Sequence, residues 1–366
     1  MTGVCEERVT FDKPGVWSMP ATPGNYRVTL TLGLPRTATV TTIKAESRRL
    51  MLDAVAVPAG KSVTRSIIVN VRNPALAAPP ANAPGGDRVL LKARERDSLS
   101  WDDRLSLEIL GDHPGVTTVR VEPVTVPTLF LLGDSTVTDQ PAEPAASWGQ
   151  MLPVFFGPDI AVANHAESGE TLKSFMTELR FAKVLESVKA GDVALIQFGH
   201  NDQKAQWPQT HAPAATTYRD YLRAWIAEFR TRGVTPILVT SPERRMWASA
   251  RIKPSLADYA AAVRAVGAEA EVPVIDLNAA SIAFYEALGP ARAPLAFNDG
   301  GKDATHHDNY GAWVLARAVA AGLARLPVGQ HLRSDLGAFD PAHPPAPETF
   351  RLATSLAHDA TRPDGN

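Results

Sequence analysis

The chain has 366 residues, 45% of them hydrophobic and 21% charged, with a net charge of −2. That length exceeds one typical core and fits about two domains, and the composition excludes a disordered chain. The near-neutral balance and the lack of a long Lys/Arg run exclude the electrostatic footprint of a nucleic-acid binder or of a protein docked on anionic lipid.

One cysteine, Cys5, excludes an internal disulfide framework and a thiolate metal cluster. Apolar runs such as Leu129 to Leu132 fall far short of the roughly 20 residues of a membrane helix. Met1 to Arg8 hold no apolar signal core, but a chain beginning after a removed signal peptide reads the same.

In chain order, Tyr26 to Leu32 alternates strictly, and Ser66 to Val71 and Leu105 to Leu110 are further strands. No helical period of useful length interrupts them, so residues 1–125 are expected to form an antiparallel β-sandwich of jelly-roll character. Asn73 to Gly86, rich in Ala and Pro, reads as a long loop within it. No internal repeat points to a solenoid.

From Leu129 the pattern changes. Apolar runs at Leu129–Leu132, Ile160–Ala163, Val193–Phe198, Pro236–Thr240 and Val274–Leu277 alternate with helical stretches near Leu172–Val188, Tyr218–Arg230 and Leu256–Glu269, and a last helix runs from Tyr310 to Leu326. This βαβ order predicts a three-layer α/β/α domain over residues 126–330, with a parallel sheet whose ligand site lies beyond the strands' carboxyl ends. Residues 331–366, rich in Pro and polar side chains, read as a tail wrapping the surface, the last ten residues disordered.

Chemistry-bearing residues gather where these strands end. Gly133-Asp134-Ser135-Thr136 follows the first, its glycine allowing a tight turn that exposes the serine hydroxyl as a helix begins; Asp and Ser equally suit a helix cap. After the second comes Ser168-Gly169, and after the third Gly199-His200-Asn201-Asp202, whose Asn is either an amide donor at the same rim or a helix cap. Asp303-Ala304-Thr305-His306 precedes the last helix. Three residues from Asp to His let one loop hold a carboxylate against Nδ1 while Nε2 reaches a serine. Acyl transfer needs an activated hydroxyl, a base whose tautomer a carboxylate fixes, and donors aimed at an oxyanion. Ser135, His306 and Asp303 fill the first roles, and the N–H groups of Ser135 and Gly169 with the Asn201 amide fill the last. No G-x-S-x-G occurs, which excludes the usual nucleophile elbow.

These four blocks, in this order, resemble those of the SGNH (GDSL-like) hydrolases over residues 128–326. The resemblance implies a flavodoxin-like fold and the same roles for Ser135, Gly169, Asn201, Asp303 and His306, and it favours His306 over its neighbour His307 as base. Thr136 after the serine, Ser147-Trp148-Gly149-Gln150, Phe198 before Gly199, and Thr305 resemble the rhamnogalacturonan acetylesterase branch, whose bacterial members often carry an added amino-terminal β-domain. That implies an acetylated pectic glycan as partner and, because polymers are met outside the cytoplasm, a secreted or periplasmic protein after signal removal, with import of oligosaccharides to a cytoplasmic enzyme as the alternative. A lipolytic esterase or thioesterase on the same machinery, and a non-catalytic carbohydrate-binding protein, are the competing readings.

Asp134, His200, Arg244, Trp247 and His307 are the candidates to line the substrate cleft. Arg244 and Arg245 suit a uronate carboxylate through a planar fork, or a salt bridge with Glu243 or a neighbour. Trp148, Trp207 and Trp247 are sugar platforms or core. His200 lines the cleft or braces its loop. No metal and no cofactor is expected: the Asp/His cluster at 303–308 lies on one loop without ligands at helical spacing, and Gly133-Asp134-Ser135 lacks the later glycines of a phosphate or dinucleotide loop. The sequence carries no signal for an oligomeric state.

Overall fold

The computed structural model describes residues 3–357. Eight strands form the amino-terminal part: β1 (Cys5–Phe11), β2 (Gly15–Pro20), β3 (Gly24–Leu32), β4 (Thr39–Ala45), β5 (Arg49–Val57), β6 (Val63–Val71), β7 (Arg104–His113) and β8 (Val116–Pro123). β1 pairs with β8, β2 with β7, β3 with β6 and β4 with β5, all antiparallel. The chain is therefore one long ribbon doubled on itself and rolled into two four-stranded sheets, β1-β8-β3-β6 and β2-β7-β4-β5, which is a jelly roll. Tyr26, Val28, Leu30 and Leu32 alternate into a core shared with Leu105, Leu107 and Ile109. β7 departs from alternation because both its faces are covered. Its second face includes Glu108, which accepts hydrogen bonds from Ser355 Oγ at 2.7 Å and Leu356 N at 3.0 Å.

The loop expected at 73–86 is longer: residues 72–103 contain no named strand and one short turn of 3₁₀ helix, Ala93–Glu95. It leaves the sandwich and lies against the second half, where Leu90 N donates to Glu178 O at 3.0 Å.

The second half holds β9 (Thr128–Gly133), β10 (Ala161–Asn164), β11 (Val193–Gln197), β12 (Thr235–Val239), a small hairpin of β13 (Trp247–Ala248) and β14 (Arg251–Ile252), and β15 (Val274–Ile275). Its helices are α1 (Trp148–Met151), α2 (Leu172–Thr177), α3 (Arg180–Ser187), α4 (Thr217–Thr231), α5 (Ala257–Glu269), α6 (Leu277–Arg292) and α7 (Asn309–Leu323). The parallel sheet runs β10-β9-β11-β12-β15, the flavodoxin-like order. Successive strand residues feed opposite faces: Leu129 and Leu131 pack with α1, α6 and α7, and Phe130 and Leu132 with α2, α4 and α5. The sheet is thus buried on both sides, which is why its strands read as continuous apolar runs. β10 and β11 flank β9, so the chain order reverses there and a crevice opens beyond the carboxyl ends of β9 and β11.

Three expectations need correction. The helix read as Leu172–Val188 is two helices, divided at Leu179, whose φ of 62° is left-handed. No helix begins at Ser135; Val137 N and Thr138 N close a turn on Asp134 O, and the first helix is α1. The strand at Val274–Leu277 is only Val274–Ile275, since Asp276 caps α6 by accepting from Ala279 N. The sequence reading missed α6 because Gly289 (φ 71°) and Pro290 interrupt its period.

The carboxy-terminal segment crosses the surface: Arg333 N donates to Phe155 O at 2.9 Å and Tyr310 Oη to Pro345 O at 2.7 Å. The disorder expected of the last ten residues falls, apart from Ala357, outside the described residues. Among the described residues no helix is long and apolar enough to cross a membrane.

Candidate active site

Gly133 ends β9 where no side chain fits: a Cβ there would lie 2.4 Å from Val137 Cγ2 and 2.8 Å from Gln197 O. The turn it permits presents Ser135 above the β9/β11 crevice. His306 Nε2 lies 2.8 Å from Ser135 Oγ, and His306 Nδ1 lies 2.9 Å from Asp303 Oδ2. Asp303 Oδ1 also accepts from the N–H groups of Thr305 (2.8 Å) and His306 (3.0 Å). Burial alone would raise the Asp303 carboxyl. The hydrogen bond and charge of His306 and the two backbone donors outweigh it and hold the group well below the usual carboxylate range. Asp303 is therefore a fixed negative charge that keeps the proton on Nδ1 and leaves the Nε2 lone pair for the serine.

The candidate oxyanion donors converge on the same crevice. Gly169 has φ 82°, a left-handed conformation that suits glycine. The backbone N–H groups of Ser135 and Gly169 find no acceptor among the described residues. Asn201 Nδ2 donates to Glu170 O at 3.0 Å, which fixes the direction of the amide and leaves its second N–H free.

The β-sandwich supports both catalytic loops. Lys92, from the 72–103 loop, donates to Ser168 O at 2.7 Å and pairs with Glu170, so its ammonium brackets Gly169. Arg94 donates to the same Ser168 O at 2.8 Å and pairs with Glu167 at 2.6 Å. Beneath the nucleophile, Gln140 Nε2 donates to Ser135 O at 2.7 Å, and Arg48 Nη1 donates to Gln140 O at 3.0 Å. Lys44, fully buried, pairs with Glu143 at 2.8 Å and donates to Ser355 Oγ at 2.9 Å. Sequence reasoning missed these residues. The dense charges of Lys92 to Asp97 were visible, but not the segment 76 residues away that they grip.

Of the five cleft candidates, three turn inward. Asp134 is fully buried, accepting from Thr136 N at 3.0 Å and Thr136 Oγ1 at 2.8 Å on one oxygen and facing His200 Nδ1 at 3.3 Å on the other. His200 is 2% exposed, and burial keeps its imidazole pKa low, with the Asp134 carboxylate opposing. It braces the turn. His307 is enclosed by Phe297 and Tyr285, whose hydroxyl lies 2.7 Å from Nε2, and burial pushes its pKa down to about 3. It is not a rival base. Trp247 is half-buried on the β13–β14 hairpin and packs against the apolar cluster. Trp148 is core, 1% exposed, donating to Gln197 Oε1 at 2.8 Å.

Neither arginine after β12 forms a salt bridge with Glu243, the alternative to a uronate fork; the Glu243 carboxylate instead receives Arg244 N, Ser255 Oγ and Leu256 N. Arg244 donates to Thr305 Oγ1 and to His200 O, and Arg245 to Gly301 O at 2.5 Å and Asp303 O at 3.1 Å. Both clamp the loop that carries Asp303 and His306. Arg244, half-buried, has no carboxylate partner among the described residues. No group of three or more His, Cys, Asp or Glu is placed to hold a metal among them either.

Residues 131–344 match the GDSL-like lipase/acylhydrolase family. The chain belongs to that family. It is 37% identical over 225 residues to the rhamnogalacturonan acetylesterase RhgT of Bacillus subtilis (strain 168), covering 57% of this chain and 95% of that protein. It is 33% identical over 201 residues to the probable rhamnogalacturonan acetylesterase YesY of the same organism, covering 54% and 93%. These matches account for nearly all of both relatives and for little more than half of this family member. The crystal structure of Bacillus subtilis YxiM, 24% identical, superposes with a TM-score of 0.52 over 85% of this chain and 80% of that one, so the fold likeness extends to both halves.

Proposed function

We propose that the protein is a serine carbohydrate esterase that removes O-acetyl groups from a pectic glycan through an acyl-enzyme on Ser135. The observation that carries this reading is the unbroken hydrogen-bond chain Asp303–His306–Ser135. Ser135 Oγ attacks the acetyl carbonyl while His306 Nε2 takes its proton and Asp303 stabilises the imidazolium. The N–H groups of Ser135 and Gly169 and the free N–H of Asn201 receive the oxyanion, each such donor being worth about a hundred- to thousandfold in rate. Collapse breaks the ester bond, and the sugar oxygen leaves with the proton from His306. Water, deprotonated by His306, then attacks the acetyl-enzyme and releases acetate.

A short acyl group suits a site in which Ser135, Asn201 and His306 are each no more than 3% exposed. The pectic substrate is supported by the names of the two relatives. We assign the free face of the Arg244 guanidinium to a uronate carboxylate of that substrate, and a secreted or periplasmic location to the enzyme. Acetate release from a panel of acetylated glycans tests the reading: acetylated rhamnogalacturonan is the best substrate and Ser135→Ala abolishes turnover. Undiminished release by Ser135→Ala discards the mechanism, and preference for long acyl esters discards the substrate. Arg244→Met raises KM for uronate-bearing substrates more than for 4-nitrophenyl acetate. Export is checked by fractionating the native host.

A further inference from the structure

A cavity of about 430 Å³ lies between the jelly roll and the α/β half and includes none of the catalytic residues. Thr128 and Asp192 in its wall mark the amino-terminal ends of β9 and β11, the end of the sheet opposite Ser135. Three residues that line it carry buried polar atoms with no hydrogen-bond partner: Arg72 (Nε and Nη1), His165 (Nδ1) and Asn70 (Oδ1). Arg72 is 4% exposed, and its guanidinium carbon lies 4.4 Å from the centre of the Trp101 ring. Burial pulls its pKa down to about 10, so it remains a cation at neutral pH; Asp139, Glu46 and Glu95 attract it without hydrogen-bonding it. The Arg72 guanidinium has no hydrogen-bond acceptor among the described residues and lines the cavity, so an anion there would meet a cation that lacks acceptors.

The rest of the lining has the same polarity. Lys183, 6% exposed, gives one hydrogen bond to Ala75 O, and Lys189 stands exposed at the wall. The one acid in the lining, Asp192, is already taken by Thr128 N at 2.8 Å and Lys189 N at 2.7 Å. The volume far exceeds the roughly 30 Å³ of a single water and lies within the range of small-ligand clefts.

We propose that this cavity is a second, non-catalytic carbohydrate site that takes a carboxylate-bearing sugar, its acid group against Arg72 and Lys183 and its hydroxyls against the Asn70 and His165 side chains. Binding there anchors a neighbouring stretch of polymer across the junction of the two halves. The demand for an anion comes from the cavity alone; the choice of a uronate rests on the pectic reading above.

The test is calorimetric titration of the full-length protein with digalacturonate, xylobiose and inorganic phosphate. Digalacturonate is expected to keep a binding event in Arg244→Met, in which the uronate contact assigned to the active site is removed, and that event is expected to lose at least tenfold in affinity in Arg72→Met and in Lys183→Met. Hydrolysis of 4-nitrophenyl acetate by the last two variants stays within twofold of native, which also reports folding. If Arg72→Met does not fold, Lys183→Met carries the test. Unchanged affinity in the folded cavity variants overturns the proposal. So does phosphate binding as tight as that of digalacturonate, which marks a small-anion site, or equal binding of xylobiose. An enzyme that deacetylates pectic substrate but fails these titrations retires the second site alone. Digalacturonate binding lost in the cavity variants, with no pectic deacetylation, retires the substrate assignment alone.

Discussion

Lys92→Met keeps the length of the side chain while removing the ammonium that brackets Gly169. The native ammonium donates to Ser168 O at 2.7 Å and pairs with Glu170, while its side chain is 25% exposed. Hydrogen bonds to charged groups contribute about 1.5–3 kcal/mol each, and the exposure argues for the lower end. Arg94 still holds Ser168 O at 2.8 Å, so the loop keeps its register but loses part of its restraint. The expected loss is about 1.4 kcal/mol of transition-state stabilisation, or about tenfold in kcat. KM should stay within twofold, because the ground-state carbonyl depends less on the donor than the oxyanion does. Lys92→Met with Arg94→Met should approach the loss of a whole oxyanion donor, about a hundredfold or more. Steady-state kinetics on 4-nitrophenyl acetate give kcat and KM. Titration with a boronic acid that forms a tetrahedral adduct on Ser135 reports the oxyanion site directly, and its affinity should fall in step with kcat. A folded double variant with native kcat and native boronate affinity would refute the claim that the jelly roll supports the oxyanion loop.

Asp303→Asn should lower kcat by about 10⁴ with little change in KM, since an amide at that place stabilises the wrong tautomer; the pH–rate profile and kcat report it. Asp202, whose Oδ1 accepts from Leu172 N at 2.9 Å, is pushed up to about 8 by burial, whereas an ordinary Asp titrates near 3.8. Between those values the folded protein keeps a proton that the unfolded chain has lost, so stability falls as pH rises from about 4 to 8. Asp308, pushed up to about 7 by burial, acts in the same sense, while the contribution of Asp303 is fully present above about pH 4. Asp202→Asn should therefore shrink the drop in Tm between pH 5 and pH 8, by an amount worth at least about 1.4 kcal/mol; an unchanged drop in thermal scans rejects the assignment. Lys44→Met strips Glu143 of its nearest buried partner and should cost about 3–5 kcal/mol of unfolding free energy. Lys44→Met with Glu143→Gln should recover part of it in urea titrations.

Ser135, Gly169 and Asn201 were legible as candidates because each lies shortly after an apolar run that is a strand, and Asp303 and His306 because they stand three residues apart on the loop before the last helix. In a parallel sheet the carboxyl ends of such runs converge, so Ser135, Gly169 and Asn201 are gathered by topology, and the loop before α7 brings Asp303 and His306 to them. What escaped the sequence escaped for local or for long-range reasons. Locally, Gly289 and Pro290 hid α6, and Leu179 divided one expected helix into two. Asp134 and His307 have the residue types of a cleft, yet Thr136, His200 and Tyr285 satisfy them from within. At long range, Lys92 and Arg94 find partners more than 70 residues away, and no period or motif announces such a meeting.

The ion pair of Lys44 with Glu143 has a consequence for biosynthesis. Lys44 precedes both of its partners in the chain, and domains generally fold as units in the order in which they are synthesised. Glu143 follows about 100 residues later, but Ser355, which shares the same ammonium, lies a further 212 residues along the chain. Until it arrives, the charged floor beneath the nucleophile turn is open to water. Nascent chains stalled before residue 355 should therefore be cut by protease near the domain junction, and chains in which Ser355 has emerged should resist the cut.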